Sequence, residues 1–172
     1  MYSALSGTAQ QAIDSLVEAG VHYYLATGRV QLLEVATRMA NLMSDTIGPP
    51  PKANAIPGHS LAEEALVKLY CLYHDHPDLR KAVSVPVDEQ RYLKMAEFLI
   101  DARGHYEGRT SKDKSFGEYG QDHAPLAQQH KLEGHAVRAA LFCAGITAAA
   151  QSNHRAEYLA AVQRFWENVA GH

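Results

Sequence analysis

The chain has 172 residues and a mass of 18.9 kDa, with 47% of residues in the hydrophobic set and 20% charged. At this length a folded chain buries about 70% of its unfolded surface, which predicts a single folded domain over residues 1–172. A disordered tail, a collagen-like repeat and a disulfide-stapled miniprotein are excluded. Sixteen Lys and Arg against 19 Asp and Glu give a net charge of -3 with neither sign gathered into a block. Nucleic acid is therefore not expected as a partner, because its binders carry a basic patch or stripe.

Two cysteines, Cys71 and Cys143, make no Cys-x-x-Cys and no zinc-finger spacing, a usage compatible with a reducing compartment. Residues 1–5 lack the basic and apolar regions of a signal peptide. The longest apolar or small run, residues 139–150, falls short of the ~18 residues a membrane span needs. The expectation is a soluble protein that does not enter a membrane, with the cytoplasm favoured. The unusual number is ten histidines.

The hydrophobic period is helical almost everywhere. Ile13, Leu16, Val17, Gly20, Val21 and Tyr24 mark a first helix, with Thr8 as a candidate cap and Gly28 as its end. A second stripe runs through Leu32, Val35, Ala36, Met39 and Met43 to Gly48 and the prolines Pro49, Pro50 and Pro51. Ala62, Ala65, Leu66, Leu69, Leu72 and Tyr73 mark the third helix. The fourth begins near Asp88, a candidate N-cap, carries Tyr92, Leu93, Ala96, Leu99 and Ile100, and stops at Gly104. Leu132, Ala136, Ala139, Ala140, Cys143, Ile146 and Thr147 mark a fifth, and Leu159, Val162, Trp166 and Val169 a sixth. No segment alternates with period two, so the class is all-α. Leu33, Leu93 and Leu159 sit in similar contexts 60 and then 66 residues apart, which predicts three helical hairpins stacked on one another.

Two connections, residues 48–59 and about 104–128, are rich in Gly, Pro, Ser, Asp and Lys and carry no helical period. Structureless loops beyond ~15 residues in a compact domain are usually functional or disordered. Lys112-Asp113-Lys114 reads as a mobile tip, whereas residues 116–123, with their aromatics, glycines and a histidine, do not read as a solvated spacer.

Three histidines share a context. His59 follows Pro57-Gly58 before the third helix, His123 ends Tyr119-Gly120-Gln121-Asp122, and His135 follows Gly134 in the first turns of the fifth helix. Helix N-termini present free N–H groups suited to oxygen-rich ligands, and a neighbouring glycine permits close approach. If the hairpins stack in one sense, His59 and His135 converge on one face. Cys71 and His74 share a helix face, but two donors do not make a zinc site, and no metal is assigned to this chain. Glu63, Glu64, Glu118, Asp122 and Glu133 lie near the histidines. No pair is singled out by spacing as a glycosidase couple, no Gly-x-Ser-x-Gly elbow exists, and the catalytic residues stay unassigned.

Taken together, Ile56-Pro57-Gly58-His59, Glu64-Ala65-Leu66-Val67-Lys68-Leu69-Tyr70, Tyr92-Leu93-Lys94-Met95-Ala96-Glu97-Phe98 ending in Arg103-Gly104, Tyr119-Gly120-Gln121-Asp122-His123-Ala124-Pro125 and Gly134-His135-Ala136-Val137-Arg138 resemble the β-L-arabinofuranosidase family of glycoside hydrolases, family 127 and its relatives. Their order and approximate spacing match over nearly the whole chain. The resemblance implies an (α/α)6 toroid, of which these hairpins are three of the six pairs, and the release of terminal β-L-arabinofuranose from glycans with retention. It also implies a carbohydrate partner, an arabinofuranosyl glycan. By that resemblance His59 and His135 line the sugar pocket, and Tyr119, Gln121 and His123 belong to a motif on the same rim.

The family's nucleophile is a zinc-bound cysteine thiolate, and its acid/base is a glutamate. The motifs that carry them lie beyond the segment matching Trp166-Glu167-Asn168-Val169, and this sequence ends at His172. Neither Cys71 nor Cys143 sits in such a motif, and Ser15 stands where the family has a histidine. The expectation is a fragment, a split product or a degenerate relative that carries part of the sugar-binding wall without the zinc–cysteine centre. The alternatives are a non-catalytic carbohydrate-binding module and a helical scaffold that pairs with its own copy or with a complementing chain.

Overall fold

A computed structural model describes residues 7–110 and 115–171, with side chains from Ser15 onward. Seven α-helices are present among these residues: α1 (Gly7–Thr27), α2 (Gln31–Thr46), α3 (Ala62–Asp75), the single turn α4 (Leu79–Ala82), α5 (Glu89–Asp101), α6 (Ala136–Asn153) and α7 (Ala156–Ala170). An isolated bridge between Ile47 and Ala53 is the one β-type pairing among the described residues. The class is all-α. Residues 1–5, read as lacking signal-peptide features, and the tip Lys112-Asp113-Lys114 lie outside the described residues. Thr8 falls inside the first turn of α1, and its side chain is likewise outside them.

The six long helices form three hairpins, α1 on α2, α3 on α5 and α6 on α7. One helix of each hairpin lies in a common row, with α3 packed between α1 and α6. The partners α2, α5 and α7 lie behind that row. This is the stacking of three of the six pairs of an (α/α)6 toroid. Burial follows position in the row. The central helix α3 buries residues nearly all round, Leu66, Leu69 and Tyr73 on one side and Ala62, Val67 and Tyr70 on others, as a helix with neighbours on several faces must. The helix α2 buries only the stripe Leu33, Ala36, Thr37, Ala40, Met43 and Ser44.

Three tyrosines of the core have hydrogen-bonded hydroxyls. Tyr73 meets Thr37 Oγ1 at 2.7 Å, Tyr92 donates to Asn41 Oδ1 at 2.9 Å, and Tyr158 donates to Asp101 Oδ1 at 2.8 Å. Each bond ties neighbouring helices, and burial holds the Tyr92 and Tyr158 phenols well above the ordinary range. On α7, Leu159, Trp166 and Val169 stay exposed, at 52%, 69% and 57%. They form a second apolar stripe one residue ahead of the buried Tyr158, Ala161 and Phe165.

Four local expectations differ from the fold. Asp88 occupies the N-cap of α5, but its side chain makes no cap hydrogen bond. The turn α4 is too short to show a hydrophobic period. The fifth long helix starts at Ala136 rather than near Leu132, so His135 is its N-cap residue and not part of its first turn. The connection from α5 to α6 is correspondingly longer than its composition indicates. It contains two 3-10 turns, Glu118–Gly120 and Leu126–Gln128.

Gly104, which turns the chain out of α5, has φ +73, and a Cβ there would overlap the backbone of Ala124 and Pro125. Both penalties act together in Gly104→Ala. The variant is expected to lose roughly 2 kcal/mol or more of unfolding free energy in urea titration, whereas Gly28→Ala, also at positive φ but facing open space, is expected to lose only about 1 kcal/mol.

Candidate functional site

The long α5–α6 connection has little regular structure, so its backbone groups and its few charges must be satisfied by side chains. Asp122 does much of this. Fully buried, it accepts from Arg109 Nη1 at 2.6 Å and Nη2 at 2.8 Å, from the Gly104 N–H at 2.8 Å and from the Phe116 N–H at 3.0 Å. Its own carbonyl accepts from the Tyr106 hydroxyl. Burial alone raises a carboxyl's pKa, but the Arg109 guanidinium and the two backbone donors outweigh it, and the Asp122 pKa lies below the ordinary carboxylate value.

A second buried ion pair lies beside the first. Arg103 Nη2 meets Glu63 Oε1 at 2.8 Å, and neither side chain is exposed. Arg103 also donates to the carbonyl of Gly120 at 2.6 Å and reaches that of Pro57 at 3.4 Å. Its guanidinium stands 4.9 Å from the Phe142 ring centroid.

On this base His59, Tyr119 and His135 come together around Arg138. Arg138 Nη1 donates to the Gly58 carbonyl at 2.7 Å, and Nη2 lies 3.0 Å from His59 Nε2. A guanidinium only donates, so His59 Nε2 accepts and the imidazole is neutral with its proton on Nδ1. The pKa agrees in direction: burial, then the charge of Arg138, then His135 hold His59 below its ordinary value. The Arg138 guanidinium also covers the Tyr119 ring at 4.3 Å, and His135 meets that ring edge-on at 5.3 Å. Gly134 has φ +84 and runs against the Glu118 carbonyl so closely that a Cβ would overlap it. That contact seats His135 beside Tyr119.

The other two candidates sit next to this group. His123 Nε2 lies 3.6 Å from Glu133 Oε2, and its Nδ1 is buried without a partner. Gln121 is 1% exposed and in the left-handed region at φ 53. Its amide nitrogen donates to the Glu133 carbonyl at 2.9 Å and lies 3.3 Å from that of Glu118. It therefore joins the Tyr119 turn to the segment that carries His135. The ring of Tyr119, at 55% exposed, and His135 face outward. Two depressions of the described surface lie elsewhere, one around Lys52, Arg91 and Lys94 and the other around His105, Arg155 and Tyr158.

Reading the sequence missed Arg138, Arg103, Arg109 and the burial of Glu63 and Asp122. Arg138 stands in the same motif as His135, but nothing in the sequence says that it crosses to a loop 79 residues away.

An exposed aromatic ring flanked by a guanidinium and two imidazoles suits a hydroxyl-rich ligand, which offers both donors and an apolar ring face. Residues 11–172 match the family described as the GH127 catalytic domain of β-L-arabinofuranosidase. The chain belongs to this GH127 family. It is 30% identical over 168 residues to the non-reducing end β-L-arabinofuranosidase of Bifidobacterium longum, a match covering 89% of this chain and 23% of that protein. Among solved structures it resembles a GH127 β-arabinofuranosidase at 31% identity and TM-score 0.74, covering 92% of this chain and 22% of the other. It also resembles a GH127 β-L-arabinofuranosidase of Geobacillus stearothermophilus T6 at 27% identity and TM-score 0.76, covering 94% and 25%. The chain thus spans about a quarter of the length of these relatives.

The GH127 resemblance carried with it the expectation of zinc held by cysteine. Among the described residues, no three His, Cys, Asp or Glu side chains are grouped so as to hold a metal ion. Cys71 Sγ faces Ser152 Oγ at 3.7 Å, and burial pushes the Cys143 thiol up to about 11, away from the thiolate that zinc requires. These two cysteines do not fit a zinc centre.

The lowered carboxyl pKa of Asp122 makes stability pH-dependent with a definite sign. The stabilisation is complete above the unfolded value of about 3.9 and is lost as pH falls through the folded value. Asp122→Asn is expected to cost about 3–5 kcal/mol at pH 7, because Arg109 loses its buried carboxylate, and to flatten the acid limb of the stability curve. Urea titrations between pH 2 and 7 measure both.

Proposed function

We propose that this chain is part of the catalytic domain of a β-L-arabinofuranosidase-like glycoside hydrolase. In this reading it forms a single all-α domain over residues 1–172 that carries part of the sugar-binding wall, while the zinc–cysteine centre is not supplied by these residues. The observation that carries the reading is the convergence of His59, Tyr119 and His135 from two separate connections with Arg138 of the first turn of α6, in a chain of GH127 ancestry. The substrate class is an arabinofuranosyl glycan. His59 and His135 are assigned to sugar hydroxyls, Tyr119 to the sugar's apolar face, His123 to the rim beside Glu133, and Gln121 to holding that rim in place.

Two of the carboxylates near the site are unsuited to a glycosidase couple. Glu63 and Asp122 are committed to buried arginines, and a working acid must be free to exchange its proton with substrate. The purified chain is expected not to hydrolyse a chromogenic β-L-arabinofuranoside with zinc and reductant present. It is expected to bind β-L-arabinofuranosides, with at least a tenfold loss of affinity in His59→Ala or His135→Ala and no loss of helix by circular dichroism. Zinc-dependent turnover abolished by a chelator would overturn the assignment of the catalytic centre elsewhere.

Affinity should depend on pH, because the Arg138 contact needs His59 neutral. Binding is expected to hold at pH 7 and to weaken as pH falls, with a midpoint below the ordinary imidazole value of about 6.5. Isothermal titration from pH 5 to 8 reads the midpoint.

One observation favours a second reading, a scaffold that pairs with its own copy or a complementing chain. Leu159, Trp166 and Val169 form an exposed apolar stripe on α7, and contiguous patches of this kind commonly mark interfaces. Sedimentation velocity separates the readings, since the scaffold requires a dimer or larger species whose assembly is lost in Trp166→Glu.

A further inference from the structure

We propose that Arg103 is the positioning residue of the site, a single guanidinium that sets the loop carrying His59 against the loop carrying Tyr119. This inference deepens the carbohydrate reading by naming what holds its two halves in register, and its structural part stands without that reading.

The two loops come from distant parts of the chain. His59 belongs to the connection before α3, and Tyr119 to the connection between α5 and α6. Arg103 follows the last turn of α5 and reaches both. Its Nη1 donates to the carbonyl of Gly120, the residue after Tyr119, at 2.6 Å, and its Nη2 points to the carbonyl of Pro57, two residues before His59, at 3.4 Å. The same Nη2 is anchored on Glu63 Oε1 at 2.8 Å, which fixes the fork to the first turn of α3. The face of the group rests on Phe142 of α6. Arg103 is wholly buried, so water does not compete for these carbonyls.

A core-filling role does not account for this arrangement. A buried guanidinium is costly unless paired and bonded, and an aliphatic residue fills volume without that cost. What only arginine offers is a rigid planar fork whose donors point in different fixed directions. Here those directions end on Glu63, Gly120 and Pro57. Lysine, with one nitrogen, cannot span the same acceptors in the same geometry. Arg103 itself points to none of the outward-facing groups, so it acts through His59, Tyr119 and their neighbour Arg138.

The test is Arg103→Lys in the full chain, followed by NMR titration of the His59 imidazole. In the parent His59 is packed against Arg138 and near His135, so its midpoint reports how closely the loops are set. In the folded variant, held well below its melting temperature, the His59 midpoint is expected to rise toward the ordinary imidazole value. Affinity for a β-L-arabinofuranoside is expected to fall at least tenfold. Glu63→Gln keeps the volume and the arginine, and weakens only the anchor. It is expected to move both readouts in the same direction by less, and it carries the test if Arg103→Lys does not fold. An unchanged His59 midpoint in a folded variant overturns the proposal, since mere loss of core stability leaves the titration where it was. If the parent binds no arabinofuranoside while the midpoint shifts, the carbohydrate reading fails and the positioning role of Arg103 stands.

Discussion

The Asp122 carboxylate is the constraint on which the end of the protein that carries the candidate site depends. Between α5 and α6 the chain runs from Ala102 to His135 with only two 3-10 turns among its described residues, so no helix ladder satisfies its backbone or fixes its path. One carboxylate gathers the Arg109 guanidinium and the amides of Gly104 and Phe116. All three donors lie within that connection, ahead of Asp122 in the chain. The turn that follows, from Glu118 to Gly120, and the neighbours of Asp122 at Gln121 and His123 inherit their positions from it. A buried charge is tolerable only when fully bonded, and the same bonds that satisfy Asp122 specify the loop.

The charges around the histidines divide into two layers. The inner layer, Asp122 with Arg109 and Glu63 with Arg103, is closed to water and made of complementary pairs. The outer layer is Arg138 with two imidazoles and the Tyr119 ring, and carries no carboxylate partner for Arg138 among its described contacts. A cation covering an aromatic face and holding a neutral imidazole as acceptor leaves His59 Nδ1–H as a donor. The inner layer is closed and bonded, and the outer layer is what faces solvent. Site geometry held within about 0.5 Å generally needs both.

The row α1, α3, α6 explains why these connections meet at all. Adjacent helices in the row have their N-termini at the same end, so the segments entering α3 and α6 become neighbours although His59 and Arg138 are 79 residues apart. The fold is an arc of three hairpins, and the relatives that it matches are about four times as long. The exposed Leu159, Trp166 and Val169 lie on α7, in the hairpin at one edge of that arc.

Much of this was legible in the sequence. The 3.6-residue period named six long helices and placed most ends within a few residues. In the last helix, however, Leu159, Trp166 and Val169 of the stripe it marked are exposed, and Tyr158, Ala161 and Phe165 are buried instead. Recurrence at Leu33, Leu93 and Leu159 gave the hairpins, and the motifs around His59, Tyr119 and His135 gave the family. What the sequence left undecided were the contacts between those motifs. Glu63, Arg103 and Arg109 carry no local signal of burial, since charged residues are rarely fully buried. Their burial follows from which segments the tertiary fold brings together, and no local pattern encodes that. His135 shows the same limit at small scale. The sequence placed it in the first turns of the fifth helix, whereas its place at the N-cap, edge-on to Tyr119, was set by Gly134 lying against Glu118 from another turn of the chain. Periodicity thus determined the helices and their pairing, while the pairing of buried charges, a long-range electrostatic choice, was decided only by the assembled structure.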